Sequence, residues 1–288
     1  MDDFLNLEGK MGDWGPFGEG ESRAIVFSIG NPNEGHGPAL SPDNDSRCAN
    51  YVAYNVCERT GARFIAHIPY TTDRVGDIAR DWSPGYMPMA ECVQKSVAFV
   101  KYHCEALRSR GIPFSRIFVI VGHGGNNGIE AHAEWKDLQA TLGIDAIVFT
   151  GTIKVDIGKL LRLLEPFSDA EREAYLGVKG GHADTVEHSI ATLYHGLDYG
   201  KVTMINRHIK ERGMDETLKK WPVLGGLGGY LKFGGARYDA LRKVPGLAEC
   251  LAKFEEDGQI FIYPRLAKLL MESSIESIAR LVKPVEDD

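Results

Sequence analysis

The sequence has no apolar run near the roughly 18 residues needed to cross a bilayer, so a transmembrane-helix protein is not expected. It also has no Lys/Arg run, and 33 basic residues against 40 acidic ones leave a formal net charge of −7. Nucleic acid and anionic membranes demand clustered positive charge, so neither is an expected partner and a small molecule is. The 5 cysteines are odd in number, widely spaced and free of any C-x-x-C pair, which argues against a disulfide framework and a thiolate zinc site. The opening Met1-Asp2-Asp3-Phe4 lacks the basic flank of a signal peptide, so a cytoplasmic location is expected.

What is present is ordinary for a globular chain, with 43% hydrophobic and 25% charged residues among 288. Residues 1–22 carry five Gly and no apolar period and read as an N-terminal arm; residues 23–288 read as one domain. Strands are expected at 24–29, 63–68, 116–121 and 146–149, and helices at 46–59, 90–110, 129–142 and 183–195. Further on, 202–205 and 259–263 read as strands and 236–254 as one or two helices. This alternation predicts an α/β fold with a mostly parallel central sheet covered on both faces. In such folds ligands gather outside the carboxyl ends of the strands, so residues that follow strands carry the functional signal.

Three segments answer that description. Glu34 and His36 follow the first strand, two apart and so on one side of an extended chain, with Gly35 and Gly37 leaving space beside them. Asp45 lies just before a helix, where a carboxylate either caps the helix or turns inward to a cation. His123 follows the strongest strand among glycines, a poor setting for a core histidine and a good one for a metal ligand. Imidazoles and carboxylates without Cys suit zinc, manganese or iron. The third segment holds His182, Asp184, Glu187 and His188. Asp184 with Glu187 fits a capping box, and the Gly-Gly-His entry together with His188 is left over for chemistry. His67, His103, His132, His195 and His208 show no partner pattern, and Gly225 to Gly229 lack the strand and Lys of a phosphate loop.

Glu34-x-His36-Gly37-Pro38-x-Leu40 with Asp45, then Gly122-His123-Gly124-Gly125-Asn126, then His182-Ala183-x-x-x-Glu187-x-Ser189 resemble, in order, the three signature blocks of the creatininase family. The resemblance implies a three-layer α/β/α sandwich and two divalent metal ions per subunit, Zn or Mn with Fe as an alternative. It also implies a homohexamer built as a trimer of dimers. It makes Glu34 and His123 ligands of one metal, His36 a ligand of the other and Asp45 the bridge. A Glu that creatininase places two residues after its second-block His is Gly125 here, so either Glu187 completes the second site or that site is weak.

The implied function is a metal-dependent hydrolase that opens a small cyclic amide or removes an N-formyl or acyl group by attack of metal-bound hydroxide. Glu187 is the expected base, if not a ligand, and His188 the proton donor to the leaving group. Two alternatives stand beside it: a C–C bond hydrolase of an oxidised inositol or keto-sugar, of the 3-dehydro-scyllo-inosose hydrolase kind, and a non-catalytic metal-binding assembly subunit. The stretch 70–88 departs from the family by lacking its His, and Asp184 stands where creatininase has a Trp. Creatinine is therefore not the leading substrate, and Arg74, Trp82, Asn126 and His182 are the candidate substrate contacts.

Overall fold

A computed structural model describes residues 23–154, 165–170, 172, 182–226, 231–232 and 247–283. The expected arm, residues 227–229 of the glycine-rich segment and residues 236–246 of the expected late helices lie outside them. Four strands, β1 (Ala24–Ile29), β2 (Arg63–Ile68), β3 (Arg116–Val121) and β4 (Ala146–Gly151), form one parallel sheet in the order β2-β1-β3-β4. Pairing is in step: Ile29 lies beside Val121 and Ile68, and Val121 beside Gly151. All four strands therefore end at one edge of the sheet, and the loops that carry the candidate residues leave from that edge.

The alternation of strand side chains sets up two apolar layers. Val26, Phe118 and Ile120 face α1 (Asn44–Thr60) and a C-terminal helix (Pro264–Val282), while Ile25, Phe27, Ile117 and Val119 face α2 (Met89–Ser109) and α3 (Ala133–Leu142). The parallel sheet covered on both faces is as expected from the alternating elements, and the three-layer α/β/α arrangement is as the resemblance implies. A short α4 (Thr185–Ile190) continues as a 3₁₀ turn over Ala191–Tyr194 and ends at His195, whose φ is 54°. The expected helix over 129–142 likewise divides into a 3₁₀ turn, Ile129–Ala131, and α3.

Two expectations are corrected in the second half. Residues 202–205 are not a strand but lie inside α5 (Tyr199–Arg212), which is capped by Asp198 accepting from Lys201 N at 3.0 Å and followed by α6 (Met214–Lys220). Val202, Ile205 and Ile209 recur at helical spacing, and that stripe is buried against Leu218 and Leu224. Residues 259–263 form no strand; they lead from α7 (Leu247–Asp257) into α8 (Pro264–Val282), which is not among the elements expected from sequence. Pro264 opens α8 at a position that needs no N–H donor, and Leu266, Leu270, Ile275 and Ile278 pack on Val52, Ala53 and Val56 of α1.

Two glycines let α1 reach the sheet edge. A Cβ at Gly30 would sit 2.6 Å from Ser46 N, and one at Gly122 would sit 2.2 Å from the Asp45 carbonyl oxygen. Both contacts are with backbone that has no room to yield. Gly122→Ala is therefore expected to destabilise the protein by at least about 1–3 kcal/mol, the usual cost of overpacking, whereas Gly124→Ala, with open space at its Cβ, should change stability by no more than about 0.5 kcal/mol. Chemical denaturation of the two variants checks the contrast.

Candidate metal centre

The first turn of α1 does not use Asp45 as a cap. Asp43 holds the N-cap position and makes no side-chain capping bond; its carboxylate accepts instead from Ser41 Oγ and, at 2.7 Å, from Arg47 Nε. Asp45 is thus free to turn inward. Its Oδ2 lies 2.7 Å from His123 Nδ1 and its Oδ1 3.3 Å from His36 Nε2, so this carboxylate joins the two imidazoles. Glu34 Oε2 is 3.0 Å from His123 Nδ1, and Glu187 Oε2 is 3.7 Å from His36 Nε2.

Among the described residues three triads result: Glu34–Asp45–His123 and His36–Asp45–Glu187, which share Asp45, and Glu34–His36–His182. In each, the possible ligand atoms all lie within 4.8 Å of one another. His182 adds a further contact: its Nδ1 is 3.5 Å from Glu34 Oε1, and its ring lies against that of His36 at 4.3 Å between centroids, tilted by 31°. Backbone bonds hold the Glu34–His36 segment rigid, with Glu34 N donating to Pro42 O (2.9 Å) and Gly35 N to Trp82 O (2.7 Å).

Several buried polar atoms here have no hydrogen-bond partner, among them Glu34 Oε2 and His36 Nε2. Leaving such atoms unpaired costs about 1–3 kcal/mol each, more for charged groups, so convergence of several on one space fits a cation. The nitrogen and oxygen donor set, without sulfur, suits zinc or manganese. Burial pushes the Cys48 thiol, next to this cluster, up to about 12, which keeps it protonated.

The electrostatics fit as well. Burial alone would lower the His36 pKa, yet the charges of Asp45, Glu187 and Glu34 outweigh it and raise the ring from 6.5 to about 10. His123 is raised in the same way, against its own burial, by Glu34, Asp45 and Asp73. Asp45 is held well below the usual carboxylate range because the two imidazoles outweigh its desolvation. Glu187 shows the opposite result: burial, reinforced by Asp45 and Asp184, lifts it to about 8 despite His36. Protons on the two imidazoles occupy the electrostatic role of cations.

The remaining candidate residues divide by position. Asp184 is the N-cap of α4, accepting from Val186 N and Glu187 N at 2.9 Å each, so it supplies the capping half of the expected box. Glu187 is left to accept from Ala183 N at 2.5 Å and to face His36. The Ala183 backbone has φ 52°, a left-handed conformation costing about 1–2 kcal/mol that falls at the site entry.

His188 is fully buried, its Nδ1 donating to Asp184 O at 2.8 Å, and burial lowers it to about 4. Adjacent helical residues point about 100° apart, so it does not share the direction of Glu187. Asn126 is buried, its Oδ1 accepting from Thr72 N at 3.0 Å and Thr71 Oγ1 at 3.2 Å. Trp82 lines a cavity of about 310 Å³ together with Asn33, Glu34, His36, Asp81 and Val223, while the Arg74 side chain is exposed. One residue not singled out from sequence also belongs here: Asp73 Oδ2 lies 3.6 Å from His123 Nε2. Its signal was its place just beyond the end of β2.

The chain is similar to solved creatininase structures: the crystal structure of creatinine amidohydrolase aligns with a TM-score of 0.55 at 18% identity, over 90% of this chain and 89% of that one. A manganese creatininase aligns with a TM-score of 0.54 at 18% identity, over 90% of each chain. The chain has the creatininase fold. By sequence it is 27% identical over 151 residues to the 2-amino-5-formylamino-6-ribosylaminopyrimidin-4(3H)-one 5'-monophosphate deformylase of Methanococcus maripaludis, a match covering 51% of this chain. In the first such deformylases it matches, the chain spans 41–64% of their length. No protein-family model matches. The creatininase resemblance read from the three sequence blocks is borne out. No helix among the described residues is long and apolar enough to cross a membrane.

The raised imidazoles give a pH prediction. A cation needs the His36 ring neutral, and the metal-free protein keeps it protonated up to about pH 10. Apparent zinc or manganese affinity should therefore rise with pH by up to about tenfold per unit for each proton displaced, levelling off above the raised pKa. In the metal-free protein the ring's contribution to stability has the reverse sign: it is complete below 6.5, the ordinary value, and is lost as pH rises through about 10. Chelator competition and thermal melting across pH 6 to 10.5 (roughly the span set by these values) measure the two trends.

Proposed function

We propose that the chain is a divalent-metal-dependent hydrolase that opens a small cyclic amide or removes an N-formyl or acyl group. The observation that carries the proposal is the pair of carboxylate–imidazole triads sharing Asp45 at the carboxyl edge of the sheet. Glu34, Asp45 and His123 would hold one ion and His36, Asp45 and Glu187 the other, zinc or manganese being supported by the donor set. A divalent ion held there supplies Lewis acidity, acidifying water and polarising a carbonyl oxygen. The similarity to deformylases and creatinine amidohydrolases supports hydrolysis at a carbon–nitrogen bond.

The chain's own groups handle protons. Glu187 suits general acid–base work, worth about 10²- to 10⁴-fold, in the case that His36 and Asp45 hold the second ion without it; as a ligand it would stay ionised. The expected donor to the leaving group, His188, is enclosed, whereas His182 keeps part of its ring exposed beside Glu34 and lies against His36. His182 would accordingly meet the substrate at the open side of the site. Trp82 and the cavity in front of Glu34 and His36 would hold the substrate body, with Asn126 bracing the loop and Arg74 reaching from it. The hexameric assembly implied by the family resemblance, and a cytoplasmic location, belong to the same proposal.

One observation favours the C–C hydrolase of an oxidised inositol or keto-sugar as a second reading. The loop at 70–88 brings Arg74 and Asp81 where the family has a His-containing segment, and these groups suit a hydroxyl-rich substrate. The decisive screen offers metal-loaded protein cyclic amides, formamides and keto-inositols, with Asp45→Ala as the blank. Turnover of one class, lost with EDTA and restored by zinc or manganese, is expected; absence of metal-dependent turnover on all three would favour a non-catalytic assembly subunit. Glu187→Gln should lower kcat by about 10²-fold or more while at least one metal equivalent stays bound, and full activity in that variant would remove Glu187 from proton transfer.

A further inference from the structure

We propose that Asp73 is the positioning carboxylate of the metal centre, holding the His123 ring by accepting from Nε2–H so that Nδ1 is presented to the space between Glu34 and Asp45. The inference rests on the metal reading above and adds a residue to it.

The three imidazoles of the centre show the pattern. His36 Nδ1 lies 3.2 Å from the Glu34 carbonyl oxygen, leaving Nε2 to face Asp45. His182 Nε2 lies 2.8 Å from the Gly35 carbonyl oxygen, leaving Nδ1 to face Glu34. In each ring one nitrogen donates outward to backbone and the other is turned inward. His123 has the same need, since its Nδ1 faces Asp45 and Glu34, but its Nε2 is buried and makes no hydrogen bond. Among the described residues the charged group facing that nitrogen is Asp73, with Oδ2 at 3.6 Å; a shift of about 0.4 Å brings the pair within hydrogen-bond length.

The backbone is built to keep Asp73 there. Arg74 N donates to Gly125 O at 3.1 Å and Thr72 N to Asn126 Oδ1 at 3.0 Å, so the loop after β2 is stitched on both sides of Asp73 to the turn after β3. The other carboxylate oxygen, Oδ1, accepts from Val75 N at 3.0 Å, which fixes the side-chain rotamer and leaves Oδ2 for the ring. Position 125 must be bare for this contact. A Cβ there would lie 2.2 Å from His123 Nε2 and 2.7 Å from Asp73 Oδ2, in the gap between the two groups. A purely local turn role for Asp73 would account for Oδ1 and would explain neither that empty gap nor the direction of Oδ2.

Carboxylates that orient a metal-binding imidazole typically change metal affinity 10- to 100-fold when removed. The test uses the full chain freed of metal and titrated with Zn²⁺ against a chromophoric chelator, with ¹⁵N-histidine NMR of the zinc-loaded form. Asp73→Ala is expected to weaken Zn²⁺ binding by about 10- to 100-fold at unchanged stoichiometry and to shift the His123 Nε2–H resonance. Asp73→Glu should recover part of the affinity, and Asp73→Asn, which keeps the Val75 hydrogen bond, should weaken binding in the same direction if the Ala variant does not fold. Equal affinity and unaltered His123 resonances in a folded variant would overturn the inference. Loss of one whole zinc equivalent would also overturn it, making Asp73 a ligand. A wild-type chain that binds no Zn²⁺ would instead sink the metal reading, and this inference with it.

Discussion

The close approach of the first turn of α1 to the ends of β1 and β3 is the constraint on which the centre depends. Gly30 and Gly122 leave only backbone between helix and sheet, and the helix fills that gap with the peptide groups of Asp45 and Ser46. With the helix seated so deep, the Asp45 carboxylate lies between the loop after β1, which carries Glu34 and His36, and the turn after β3, which carries His123. In-step pairing of β1 with β3 brings those two loops out side by side. Position in the fold, more than the chemistry of any one residue, makes Asp45 a bridge.

That arrangement concentrates like charges where water is scarce, and the fold tolerates it by pairing. Glu34 and Asp45 are each within ionic contact of an imidazole, and those imidazoles retain protons to unusually high pH as a result. Buried pairs of this kind contribute little net stability, because desolvation consumes most of the attraction. Their value lies elsewhere: a site that already balances two carboxylates with two removable protons has its charges in place for the proposed cations. Glu187, unlike them, is not fully balanced by a cation, and its lifted pKa reflects that.

Much of this was legible from sequence, for identifiable reasons. The four strands were readable because β-branched runs buried on both faces leave short apolar blocks ending at Gly30, Gly122 or the turn beyond β2, and the strand-end rule then singled out Glu34, His36 and His123. The role of Asp45 stayed ambiguous, since a carboxylate at a helix start looks the same whether it caps or turns inward; only the three-dimensional placement of Asp43 and His123 separates these. Asp73 was passed over because its meaning depends on a contact with residue 123, about fifty positions away, and on a missing side chain at 125. The segment 202–205 misled because four apolar-rich residues fit a strand as well as one turn of helix, and the stripe through Ile209 decides only over a longer window. The helix α8 lies beyond the last expected element, although Pro264 is a helix-start signal and the apolar spacing that follows is helical throughout.

The place of α8 has a consequence for how firmly the site is held. This helix covers α1 through Leu266, Leu270, Ile275 and Ile278, and Arg116 at the start of β3 reaches its final turn, donating to Val282 O at 2.7 Å. The helix that presents Asp45 thus takes its outer cover from a segment far from it in sequence. Slackening of that apolar layer would be felt at the acidic and imidazole cluster through the seat of α1 rather than through any change in the cluster's own residues.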